Sequence, residues 1–156
     1  MRKFSVLALF VVVFCLPGCA TVPVQSPEIT AAAKEFAPPP PDRAGLYIYR
    51  STFGGQALKK DIWINGECVG QSANNVFFYR EVPGDADHTI ATESEFSPNE
   101  LNVTVQSGMN YFIEQYIKMG LFVGGAGLQI IDPETAKKII AKLDMAVGGD
   151  CESATP

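Results

Sequence analysis

The chain has 156 residues, the length of one domain. Its hydrophobic class is 47% and its charged class 19%, which excludes a largely disordered chain. Without the first 18 residues, 10 basic residues face 17 acidic ones, a net charge of about −7, which argues against the basic face a nucleic-acid binder needs.

Arg2 and Lys3 open the chain, and Phe4 to Leu16 follows as an apolar run broken only by Ser5. This run falls short of the ~20 residues of a spanning helix but suits the core of an export signal. It ends in Leu16-Pro17-Gly18-Cys19, which resembles a bacterial lipobox with Pro17 in place of the usual small residue. The Cys19 thiol is the group that would accept a diacylglyceryl unit before cleavage ahead of it. Bulky Phe14 before Cys15 removes that cysteine as a candidate. Ala20 rather than Asp follows Cys19, and the resemblance to lipoprotein sorting then implies the outer membrane, facing the periplasm. Residues 1–18 are therefore expected to be a lipoprotein signal peptide.

Residues 19–44 read as a lipid-anchored, Pro-rich tether. Pro38-Pro39-Pro40-Pro41 favours a stiff polyproline II rod. At ~3.1 Å per residue the segment reaches roughly 75–80 Å when extended. Thr30 to Phe36 has room for a turn or two of helix, too short to persist alone. The other reading is that Ile29 and Phe36 dock on the domain.

A β-rich domain is expected over 45–147, with a flexible tail over 148–156. Leu46–Arg50 is a strand. Asp61–Ile64 and Glu67–Gly70 flank Asn65-Gly66, the pair that suits a two-residue hairpin because both turn positions need φ > 0. Val76–Val82 is a strand stopped by Pro83-Gly84-Asp85. His88–Thr92, Leu101–Val105, Tyr111–Ile117 and Gly127–Ile131 complete the set. Short strands at this spacing predict a small antiparallel β-sandwich or barrel-like fold. Asp132 can then cap a helix that starts at Pro133, carries Ala136, Ile139, Ile140 and Leu143 on one face, and stops at Gly148-Gly149. The fold class is thus mainly β with one C-terminal α-helix.

Leu46-Tyr47-Ile48-Tyr49-Arg50, the Ile62-Trp63-Ile64-Asn65-Gly66 hairpin, Phe77–Val82 with Pro83-Gly84, and Gly108-Met109-Asn110-Tyr111-Phe112-Ile113 carry a resemblance. Residues 45–131 resemble an uncharacterised family of bacterial envelope lipoproteins, domain of unknown function family 2846. The order of turns also resembles small β-sandwich domains of carbohydrate-facing surface proteins. The resemblance implies a β-rich lipoprotein and supplies no catalytic residues.

No catalytic constellation emerges. His88 is the sole histidine and makes no His-rich metal site. Glu93 and Glu95 would serve a glycosidase only across a cleft. Asn102-Val103-Thr104 matches a glycosylation pattern by coincidence in a bacterial strand. Gly120–Gly127 lacks the Gly-Lys-Ser/Thr ending of a phosphate loop and reads as a long turn or as an apolar contact loop through Leu121, Phe122 and Val123. No cofactor and no metal are expected.

Two further readings concern surface and redox chemistry. Trp63, Phe78, Tyr79, Tyr111 and Tyr116 lie in strands, either as core or as an aromatic strip able to stack on sugar rings. Cys68 and Cys151 remain once Cys15 leaves and Cys19 is lipidated; in an oxidising compartment they pair, or Cys68 stays a buried thiol and Cys151 loose in the tail. The leading functional expectation is a non-enzymatic binding or assembly module, attached to membrane by its N-terminal lipid and docking an envelope protein or polymer. A structural spacer and a glycan hydrolase are the other classes.

Overall fold

The computed structural model describes residues 20–93, 99–118 and 124–152. Cys19, Glu95 and Leu121 to Val123 lie outside the described residues. The chain forms α1 (Pro27–Ala33), β1 (Arg43–Arg50), β2 (Lys60–Ile64), β3 (Glu67–Ser72), β4 (Val76–Pro83) and β5 (Ala86–Thr92). There follow β6 (Asn99–Val105), β7 (Asn110–Lys118), β8 (Gly125–Ile130), α2 (Pro133–Ile140) and β9 (Asp144–Met145). Every expected strand is present within a few residues.

The strands build two packed sheets rather than a closed barrel. One has the order β8-β7-β1-β4-β9, the other β3-β2-β5-β6. The four-stranded sheet is antiparallel throughout, as expected. The five-stranded sheet is mixed: β1 pairs parallel with β7, and β4 parallel with β9. Leu46 and Ile48 of β1, Ile62 and Ile64 of β2, Phe78 of β4, Ile90 of β5, Val103 and Val105 of β6 and Ile113 of β7 fill the space between the sheets. Alternation along each strand produces this, because residues two apart share a face.

The five-stranded sheet is also covered on its other face. Tyr47, Tyr49, Phe77 and Phe112 point there and pack with Ala136 and Ile140 of α2, with Leu143 and Met145, and with Phe36. The architecture is therefore three layers: a four-stranded sheet, a five-stranded sheet and a helical cover. Asp132 caps α2 as its sequence position predicts, accepting from Thr135 N–H at 2.9 Å, with Pro133 in the first turn. The helix ends at Ile140, well before Gly148-Gly149. The chain beyond it turns and pairs with β4, and the Ala146 N–H donates to the Phe77 carbonyl at 2.8 Å. This pairing satisfies backbone groups on the edge of β4 that a continued helix, bonded within itself, would leave open.

The 20–44 segment differs from an extended rod. Ser26 caps α1, and Pro27 opens it. Val24 bridges Ala146, Gln25 N–H donates to Met145 O at 2.7 Å, and Val147 N–H to Pro23 O at 2.9 Å. The leader thus covers the exposed side of β9, with Pro23 supplying the carbonyl of a residue that has no N–H to give. Of the two docking residues, Phe36 joins the outer aromatic cluster, whereas Ile29 stays half exposed. The start of the tail is held as well. Gly149 N–H donates to Val69 O at 3.1 Å, and Cys68 and Cys151 form a disulfide with a Cα separation of 6.1 Å.

Asn65 and Gly66 have φ of 53° and 79°, so both turn residues are left-handed. A Cβ at Gly66 would meet nothing within 4 Å, so its cost is backbone conformation alone. Gly66→Val should lower stability by about 1–2 kcal/mol in denaturant melts without changing the fold. An unchanged midpoint would contradict the turn.

Candidate functional site

The residues expected to form an aromatic strip do not come together. Trp63 and Phe78 are both 1% exposed, and Phe78 lies in the core between the sheets. Tyr79 sits on the outer face of the five-stranded sheet beside Tyr47, with ring centroids 4.7 Å apart. Tyr111 packs against the inter-sheet core, and its hydroxyl accepts from Gln106 N–H at 2.9 Å. Tyr116 stands further along β7 with the Lys118 ammonium 5.7 Å from its ring centre. No flat row of rings for sugar stacking results from these five positions.

What the outer face holds instead is a packed aromatic platform. Tyr47 stacks on Phe112 at 5.2 Å and meets Phe77 at 6.3 Å. Phe36 closes on Tyr47 at 5.2 Å and on Phe112 at 5.9 Å. The Lys137 ammonium of α2 lies 5.6 Å from the Phe36 ring centre. Three polar anchors fasten the leader here. Tyr47 OH donates to Ala33 O at 2.9 Å, and the Asn110 side-chain amide donates to Phe36 O at 3.1 Å and Ala37 O at 3.0 Å. Gly45 makes room for this: a Cβ there would run into the Asn110 side chain and the Tyr79 ring. Phe36 adopts φ 52°, a left-handed conformation that an aromatic residue takes only when its contacts hold it there. Burial shapes the acidity of this face. The Tyr47 hydroxyl is raised far above its usual value by desolvation, with Tyr79 and Glu81 adding to it. Tyr49 and Tyr79 are each pushed up to about 12, first by burial. None of these phenols is poised to act as a base near neutrality.

His88 is a structural residue. Asn65 Oδ1 accepts from Thr89 N–H at 3.0 Å, which turns the Asn65 amide nitrogen toward His88 Nδ1 at 2.8 Å. His88 Nε2–H donates to Pro83 O at 2.8 Å. The ring ties the β2–β3 turn to the end of β4. Glu93 lies 3.6 Å from the Lys60 ammonium as its charge partner, and its proposed companion Glu95 is outside the described residues. Among the described residues no cluster of three His, Cys, Asp or Glu is placed to hold a metal.

Two openings merit attention. One is a cleft of about 320 Å³ where β3 and β4 part, lined by Arg43, Glu67, Arg80 and Glu81 among others. Its guanidiniums are spent on backbone: Arg80 donates to Val69 O at 3.1 Å and Tyr79 O at 3.0 Å, and Arg43 to Glu81 O at 2.6 Å. The other is a groove of about 280 Å³ at the start of β7 and the end of β8, lined by Met109, Tyr111, Phe112, Ile130, Ile131 and Pro133. Met109 and Ile130 are 52% and 54% exposed on it. β8 is also the edge strand of its sheet. Sequence reading missed this groove, because Met109 lies in a turn and Ile130 at a strand end. Only the β7–β8 pairing, Ile113 opposite Ile130, brings the end of β8 to the same end of the sheet as the start of β7.

A sequence profile for proteins of unknown function, DUF2846, matches residues 40–126, more than half of the chain. The chain belongs to the DUF2846 family. It is also 49% identical over 146 residues to an uncharacterized protein of Haemophilus influenzae, covering 94% of this chain and 86% of that one. No solved structure matches. The matched region of the family starts within the proline run and ends inside β8, so it contains β1 to β7, and α2 lies beyond it.

Phe36→Ala should cost about 2 kcal/mol, roughly half of a full core Phe→Ala loss, because the ring is partly exposed. Ile29→Ala should stay within about 0.5 kcal/mol. Equal effects of the two in urea melts would contradict the docking described.

Proposed function

We propose that this DUF2846 protein is a cell-envelope lipoprotein, acylated on Cys19, that works as a non-enzymatic module docking a protein partner in the periplasm. The lipobox and the basic-apolar signal support the anchor, and Ala20 after Cys19 supports outer-membrane sorting. The observation that carries the docking reading is the apolar groove at Met109 and Ile130 beside an edge strand. An edge offers unpaired backbone groups, and an adjacent apolar groove selects side chains; together they suit an extended peptide segment. The engaged ring of His88 and the Lys60–Glu93 pair favour binding over catalysis. The folded-back leader disfavours a pure spacer, whose task needs an extended segment.

Two measurements test this. Mass spectrometry of the mature N-terminus should find an acylated Cys19 followed by Ala20; an unmodified Cys19 in envelope protein would overturn the anchor. A photo-crosslinking residue at position 109 should trap one discrete envelope protein, and Ile130→Glu should abolish that adduct. The same residue at exposed position 104, on the other sheet, should trap none. Identical adducts at 109 and 104, or an adduct indifferent to Ile130→Glu, would overturn the groove as the docking site.

A further inference from the structure

The residue that follows the lipidation site is not at the end of a long free tether. Ala20 N–H donates to the Gln56 carbonyl at 3.1 Å. Gln56 belongs to the loop over 51–59, which joins the end of β1 to the start of β2. Phe53 of this loop is 98% exposed, far more than Met109 or Ile130. An isolated exposed apolar side chain is ordinary on a protein surface. This one sits three residues from the carbonyl that holds Ala20.

The loop is built to present it. Arg50 is fully buried and donates to Leu58 O at 2.8 Å and to Gly55 O. Burial lowers its basicity to about 10, a cost accepted to hold two loop carbonyls from beneath. Thr52 N–H donates to the Asn74 side chain at 3.0 Å, and Leu58 N–H to Gly55 O at 3.0 Å. Gly55, at φ 69°, lies against Ile117 so closely that a Cβ would come within 2.8 Å of it. A loop anchored at both ends and in its middle thus turns Phe53 outward. Lys59 leaves the same loop exposed to solvent.

We propose that this end of the sandwich rests on the bilayer leaflet that holds the Cys19 lipid, with the Phe53 ring inserted among headgroups and upper acyl chains. The inference rests on acylation of Cys19 and goes beyond it. A lipid chain on residue 19 emerges within one residue of a backbone fixed to the Phe53 loop, so the anchor brings that loop to the surface by geometry. An aromatic ring is favoured at a membrane interface, and a nearby cation gains from anionic headgroups. The orientation has a consequence for the groove. β7 begins at Asn110 and ends at Lys118 beside this loop, so Met109 lies on the order of 25–30 Å away, at the opposite end of β7.

The test places a tryptophan at each end of the full-length lipidated protein. Phe53→Trp and Met109→Trp are reconstituted separately into vesicles of phosphatidylethanolamine and phosphatidylglycerol, with and without brominated acyl chains. The parent protein reports the contribution of buried Trp63. Phe53→Trp should emit further to the blue and lose emission with brominated lipid, and Met109→Trp should do neither. The mass of the mature N-terminus is read on the same samples. Acylated protein without quenching at 53, or with equal quenching at 53 and 109, overturns this inference alone. A mature protein without acyl mass overturns the anchor and this inference with it.

Discussion

β1 is buried on both faces, and the rest of the structure depends on covering it. From Ala44 to Arg50 every residue is buried. Leu46 and Ile48 need the four-stranded sheet above them; Tyr47 and Tyr49 need a cover below. A strand with two apolar faces at the centre of a mixed sheet is stable only between two layers. No single neighbouring segment supplies the lower one. α2 covers part of it, Leu143 and Met145 another part, and Phe36, reached from the other side of β1 in the chain, closes the remainder. The leader is therefore a component of the fold and not a leash attached to it.

That requirement also sets where the start of the described chain can lie. A leader consumed in covering the sheet cannot hold the domain at a distance of tens of ångströms. It returns Ala20 to the loop after β1, and the buried Arg50 at the end of the same strand shapes that loop. One strand thus organises the cover, the start of the leader and the loop beside it. The apolar groove falls at the far end, where the start of β7 meets the end of β8.

Much of the fold was legible because it is written in local chemistry. Alternation of Leu101, Val103 and Val105, the Asn65-Gly66 pair, Pro83-Gly84-Asp85 and Asp132-Pro133 each act over a few residues. The pairing of Cys68 with Cys151 came within reach by counting the cysteines that an expected signal cleavage and lipidation would leave. What stayed hidden depends on partners far apart in sequence. The parallel β1–β7 pairing leaves no local mark. Leu143, Met145 and Ala146 are compatible with a longer helix, and only the edge of β4 draws this stretch into the β9 pairing. The exposure of each aromatic is likewise decided by layers: Phe78 and Tyr79 are neighbours in sequence, yet one fills the inter-sheet core and the other flanks the platform. The buried chain of Ser72, Gln115 and Thr92, bridging the two sheets from three separate strands, belongs to the same class. The groove at Met109 and Ile130 was invisible for this reason.

The segment before β1 is packed as part of the domain. Limited proteolysis of the mature, folded protein, with cleavage sites mapped by mass spectrometry, tests it most directly. Proteolysis of an extended segment is fast, whereas a docked one is cut only when it opens. Lys34 and Glu35, next to Phe36, offer cleavage sites to two common proteases. Both bonds should survive about as long as bonds inside the sheets and be lost together with them as urea approaches the unfolding midpoint. Rapid cleavage there in water, leaving residues 43–151 folded and intact, would contradict it.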